Sequence, residues 1–196
     1  MTTTIASVAR VRVSAALLAA ALGACAHAPP RRVAHAAADA TVFDPREAVL
    51  RVDTVRGEPF DVAALRGRAV IVAVILVNDL GGQGLARNLE RLAAAHPDDL
   101  AVVLLAADAF DAETLRMAME VFADVVGLHR AALAALPDTL RDGTSVFGAM
   151  DHGAVTVLVN RAGRVARRVD GTPAYAALEA LVAPALPPPA AGVGSR

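Results

Sequence analysis

Two stretches of this chain are apolar at every position, Ala69 to Val77 (AVIVAVILV) and Leu100 to Ala107 (LAVVLLAA). A strand with one wet face alternates apolar and polar residues, so short runs without alternation belong to strands covered on both faces. Between them Asn78 to Gly84 (NDLGGQG) breaks the first run and reads as a loop. Leu85, Leu89 and Leu92 then recur at helical spacing as far as His96-Pro97. Strand, helix and strand in that order call for a parallel pair joined by a right-handed crossover.

The flanking segments extend the pattern to an α/β domain over residues 43–185. Ala48 to Val55 and Pro59 to Phe60 surround Arg56-Gly57-Glu58, a hairpin placed before the first central strand. Asp61 to Leu65 reads as a capped helical turn ended by Gly67. Ala112 to Ala123 is amphipathic, with Leu115, Met119 and Phe122 on one side and Asp111 as its cap. Val155 to Val159 and Val165 to Val169 flank Asn160-Arg-Ala-Gly163, a second hairpin expected to supply antiparallel edge strands. A last helix runs from Pro173 to Val182. The expected fold class is therefore α/β, a central mixed sheet flanked by helices, with an N-terminal β-hairpin extension. Residues 186–196, opening with Pro187-Pro188-Pro189, cannot bury enough surface to order themselves and read as a disordered tail.

The amino-terminal residues read as an export signal. Arg10 and Arg12 form a basic start without an acid, and the apolar stretch Val13 to Leu22 is far short of the roughly 20 residues that span a bilayer. Leu22-Gly23-Ala24-Cys25 resembles the lipobox of bacterial lipoproteins, which implies a signal peptide over 1–24, lipidation of Cys25, and a flexible tether over 25–42. Two or three acyl chains hold a protein stably at a membrane. The expected location is the bacterial cell envelope, with the membrane contacted through the lipid anchor and a protein partner there. Without residues 1–24 the chain keeps 17 of its 19 basic residues against 20 acids, a formal charge of −3. That balance implies no nucleic-acid partner.

The order of elements is that of a thioredoxin-like fold, and two segments carry the likeness in residues. Leu65-Arg-Gly-Arg-Ala-Val-Ile-Val resembles the entry to the first central strand in redoxin and TlpA-type proteins, and Thr156-Val-Leu-Val-Asn-Arg-Ala-Gly-Arg-Val165 resembles their hairpin. Met150-Asp-His-Gly-Ala-Val-Thr-Val-Leu-Val-Asn is also similar to a segment of Sco/SenC-type copper chaperones, which serve cytochrome oxidase assembly. The resemblance implies a thiol site where the first central strand meets its helix, and this chain departs from it there. Asn78, Asp79, Gly81, Gly82, Gln83 and Leu85 stand in that degenerate active-site loop. Cys25 is the single cysteine of the chain. Disulfide exchange and peroxide reduction both require a nucleophilic sulfur. Ala154 falls where the family carries a cis-proline, and a trans bond is expected there because a cis bond before a non-proline residue costs about 3 kcal/mol.

These departures favour a redox-inactive binding or assembly module over an enzyme, with no catalytic residues and no cofactor. Two alternatives stay open. A divergent copper-binding chaperone would use His152, the match to the Sco-type histidine, with Met150 as a second donor. A thiol–disulfide oxidoreductase or peroxiredoxin-like enzyme would need a thiol supplied in trans. Gly81 to Gly84 could present amides to an anion but lacks the residues of a P-loop, and a flexible loop is the better reading. Asp108 and Asp111 form a carboxylate pair suited to acid/base work, although capping is the expected role of Asp111. The groove for a partner is expected along residues 78–85, 150–154 and 108–111.

Overall fold

The chain enters the fold through a hairpin of β1 (Arg51–Asp53) and β2 (Pro59–Asp61), paired antiparallel with Val52 opposite Phe60. Its turn closes at Gly57, whose φ of 81° is open to glycine and strained for other residues. This computed structural model describes residues 46–150 and 153–188, all within one compact unit. Cys25, the expected signal and tether, Asp151, His152 and the tail from 189 lie outside the described residues. After β2, the Asp61 carboxylate accepts the Ala63 N–H at 2.9 Å and sets a single 3-10 turn, Ala63–Leu65.

The two apolar runs then form β3 (Ala69–Ile75) and β4 (Leu100–Ala106), each buried at all seven positions. They pair parallel, Ala69 beside Leu100 through Ile75 beside Ala106. The crossover helix between them is α1 (Leu80–Ala95). After β4 come α2 (Ala112–Val126), β5 (Ala132–Ala135), β6 (Val155–Val159), β7 (Val165–Asp170) and α3 (Tyr175–Val182). The five-stranded sheet runs β5-β4-β3-β6-β7. β3, β4 and β5 are parallel, while β6 lies antiparallel to β3 and β7 antiparallel to β6. This is the mixed sheet with an N-terminal hairpin that the sequence implies.

Three details differ from the sequence reading. β6 is an interior strand: all five of its residues are buried, as VTVLV without alternation requires, and of the two hairpin strands β7 alone carries the mixed burial of an edge. β5 has the sequence ALAA, which lacks β-branched residues and therefore gives no strand signal. It is a strand because its backbone pairs with the outer edge of β4. The third difference is the start of α1, which shapes the site described below.

Both faces of the sheet are covered, which accounts for the unbroken apolar runs. Ile71, Ala73 and Ile75 belong to the core that takes Leu85, Leu89 and Leu92 of α1, Phe122 of α2 and Leu178 of α3. The alternate residues Val70, Val72 and Val74 belong to a second core with Val52, Leu140, Phe147 and Met150. At about 25 cal/mol per Å² of apolar surface, these aliphatic side chains are the main stabilising contribution. Few aromatics join them: the chain has five Phe, one Tyr and no Trp, and Phe122 and Phe147 lie in these cores.

Candidate functional site

The register of the sheet gathers three segments at the carboxyl end of β3. Ile75 lies beside Ala106 and Val74 beside Val155, so residues 76–79, 107–111 and the chain entering β6 emerge at one edge. In open α/β sheets this is the edge at which ligands bind.

The β3–α1 corner is tight. Asp79 is the cap of α1, its Oδ2 accepting the Gly82 N–H at 2.9 Å, and the helix begins at Leu80. The expected loop over 81–84 is thereby corrected: Gly81, Gly82, Gln83 and Leu85 are helical, and only Asn78 and Asp79 precede the helix. Three glycines are poor helix formers, but packing overrides propensity here. Gly82 is buried, and a Cβ on it would stand 2.3 Å from the Leu76 carbonyl oxygen. Glycine is what lets the helix start this close to the end of β3.

The β4–α2 corner is longer and polar. Asp108 is 5% exposed, its Oδ2 accepts the Val77 N–H at 2.9 Å, and its Oδ1 is buried without a hydrogen-bond partner. The two corners are thus tied together by a carboxylate. Asp111 caps α2 as expected, accepting from the Glu113 and Thr114 N–H groups at 3.1 and 3.0 Å and from the Thr114 hydroxyl at 2.6 Å. Those bonds, the Thr114 hydroxyl first, hold the Asp111 carboxyl below its ordinary range. One carboxylate binds the Val77 amide in the turn after β3 and the other a helix end, so both aspartates hold structure.

Between the corners lies a groove of 440 Å³. Asn78 and Gln83 contribute amides and Thr114 a hydroxyl, while Phe110, Met117, Val121 and Val125 supply apolar surface. Among the described residues, none that lines it carries an ionisable side chain. Met117, Val121 and Val125 are 47%, 62% and 59% exposed, a second apolar stripe on α2 at i, i+4 and i+8 spacing. That spacing was available in the sequence, but Leu115, Met119 and Phe122 on the core side already accounted for the helix. The described lining takes in Asn78, Gln83 and Phe110 of the expected groove and extends along α2; Met150, Gly153 and Ala154 are not part of it, and Asp151 and His152 lie outside the described residues. Met150 is wholly buried in the second core, which removes its thioether from any exposed copper site. Its loop is held by Arg168 of β7, which donates to the Phe147 and Ala149 carbonyls at 3.0 and 2.7 Å. Ala154 follows a trans bond, half-buried against the first core, and its carbonyl accepts the Gly171 N–H at 2.7 Å. Among the described residues no three His, Cys, Asp or Glu side chains stand together to hold a metal. No helix among them is long and apolar enough to cross a membrane.

No protein-family model matches the chain, and no curated protein sequence matches it. Solved structures do. A thiol:disulfide interchange protein of the thioredoxin family from Chlorobium tepidum superposes with a TM-score of 0.60 at 17% identity, over 74% of this chain and 99% of that one. The chain has a thioredoxin-like fold. The exposed lipoprotein thioredoxin Etrx1 of Streptococcus pneumoniae matches this thioredoxin-like domain with a TM-score of 0.57 at 11% identity, over 70% of this chain and 99% of its own. BsSco, a member of the Sco family of cytochrome c oxidase assembly proteins, matches with a TM-score of 0.57 at 13% identity, over 76% and 96%.

Proposed function

We propose that this chain is a lipid-anchored protein of the bacterial cell envelope whose thioredoxin-like domain performs no thiol chemistry and serves as a binding or assembly module. The observation that carries this reading is the groove between the β3–α1 and β4–α2 corners: its described lining is open, apolar and free of ionisable side chains, and no cysteine lies in the described residues. The described lining supplies neither a nucleophile nor a group that moves a proton. It can receive an apolar segment of a partner protein, with the Asn78 and Gln83 amides offering hydrogen bonds to that segment's backbone. The lipobox-like Leu22 to Cys25 supports the anchor. Etrx1, itself a lipoprotein, shows that this fold is found on a lipid anchor in another protein.

The decisive experiment combines chemistry and contact. The membrane-extracted protein should show no titratable thiol, no insulin reduction and no peroxide consumption, and Cys25→Ser should abolish incorporation of labelled palmitate. A photo-crosslinking residue at Val121 should give a discrete adduct in cells, whereas one at Ala94 on the exposed side of α1 should not. Disulfide reductase activity, a free thiol, or equal crosslinking at both positions would overturn the reading.

A further inference from the structure

At the opposite edge of the sheet lies a larger cavity, 590 Å³, enclosed by the hairpin, the amino ends of β3 and β4, and the chain around β5. Its chemistry is the reverse of the groove's. Arg51, Arg56, Arg68 and Arg130 line it, and none has an ion-pair partner among the described residues. Glu58 and Asp61 line it too, out of ion-pair reach of all four, and Asp61 is engaged with the Ala63 N–H. Arg56 donates to the Leu128 carbonyl and, at 3.5 Å, to that of His129. Arg68 donates through Nη2 to the Pro97 and Leu100 carbonyls, each at 2.9 Å, but its Nε is buried and has no acceptor. The two carbonyls fix this guanidinium at the cavity wall, where its charge meets no carboxylate among the described residues. The lining between these charges is apolar, contributed by Leu65, Leu128 and Leu133.

The geometry points to a binding site for a small amphipathic carboxylate, its head group on Arg68 with Arg51 and Arg130 near the rim, its hydrocarbon body against the leucines. The volume falls in the range of ligand cavities, about 300 to 1,000 Å³. Carboxylate and guanidinium match in geometry, and their charge-assisted bonds are about twice as strong as neutral ones. Neither charge nor apolar lining alone explains the cavity, so both halves of the ligand are required.

Titration of the full chain with decanoate, decanol and inorganic phosphate, followed by calorimetry and amide chemical shifts, tests this directly. Decanoate should saturate one site and shift amides at Arg68 and between Leu128 and Leu133, while decanol and phosphate bind at least about tenfold more weakly. Arg68→Gln should weaken decanoate about tenfold. If that variant loses its fold by circular dichroism, Arg51→Gln and Arg130→Gln, both exposed, carry the test with an expected loss of about threefold each. The proposal is overturned if decanol binds as tightly as decanoate, if the shifts map to Met117 through Val125, if no saturable binding occurs, or if the folded arginine variants all bind as the parent does.

Discussion

The two strand-to-helix corners at the carboxyl edge have the same topology and opposite construction. At β3–α1 four residues, 76–79, separate the last strand residue, Ile75, from the helix, which buries Gly82 against the Leu76 carbonyl. At β4–α2 five residues, 107–111, intervene, and two aspartates organise them. Each corner has an aspartate cap, Asp79 or Asp111, but the first depends besides on the absence of a side chain at Gly82 and the second on the further carboxylate of Asp108. A corner of the first kind fails by steric overlap, and one of the second kind by losing acceptors. Substitutions separate these two modes.

Gly82→Ala should have the largest effect. Its Cβ would meet a backbone oxygen at 2.3 Å, and a backbone cannot swing aside as a side chain can, so the end of β3 or the first turn of α1 must move. Overpacking of this kind costs about 3 kcal/mol. Denaturant unfolding measures it, and a loss under about 1 kcal/mol would mean that the corner is looser than drawn. Since Asn78 and Gln83 flank the groove, the same variant should also weaken crosslinking at Val121.

Asp108→Ala comes next. It leaves the Val77 N–H without its acceptor in a buried position, a loss of about 2 kcal/mol. Because Val77 lies at the first corner and Asp108 at the second, hydrogen exchange at Val77 should quicken although that residue is unaltered. If exchange there is unchanged, the carboxylate does not tie the corners together.

The contrast between the corners also explains what could be read from the sequence. The second was legible because its signals are local: Asp111 three residues before Thr114 is a cap by residue type and spacing alone. The first was misread because Gly81, Gly82 and Gly84 signal a loop by propensity, and the contact that overrides it is with Leu76, a close approach no pattern encodes. The same division runs through the fold. β3, β4 and the β6–β7 hairpin are announced by composition, whereas β5, four residues of Ala and Leu, exists through pairing with β4. The groove's position on α2 was hidden in a different way, since a helix with two apolar stripes declares only that one is buried. The arginine cavity was not legible at all, because its four cations are spread from Arg51 to Arg130 and meet only after folding.

Asp111→Ala should lower the melting temperature by less than Asp108→Ala, since its carboxylate is exposed, and its signature is pH dependence. The folded Asp111 carboxyl is held below its ordinary value of 3.8, chiefly by the Thr114 hydroxyl and backbone. A depressed carboxylate contributes stability that is fully present above the unfolded value and lost as the pH falls through the folded one. The parent should therefore shed this increment as the pH drops below 3.8, and the variant should show a flatter profile there. Parallel profiles would show that the cap contributes nothing to stability.

Gly84→Ala should have the smallest effect and the opposite sign. Gly84 shares the first turns of α1 with Gly82, yet nothing lies within 4 Å of where its Cβ would stand. An exposed helical glycine costs about 0.5 to 1 kcal/mol relative to alanine, so this substitution should stabilise the protein by about that amount. Were residues 81–84 a flexible loop, no such gain would follow, because alanine would have no helix to favour. The two glycines two residues apart thus form a matched pair: alanine harms one corner contact and improves the helix behind it. Only a helix that begins at Leu80 and rests Gly82 on Leu76 gives both signs at once.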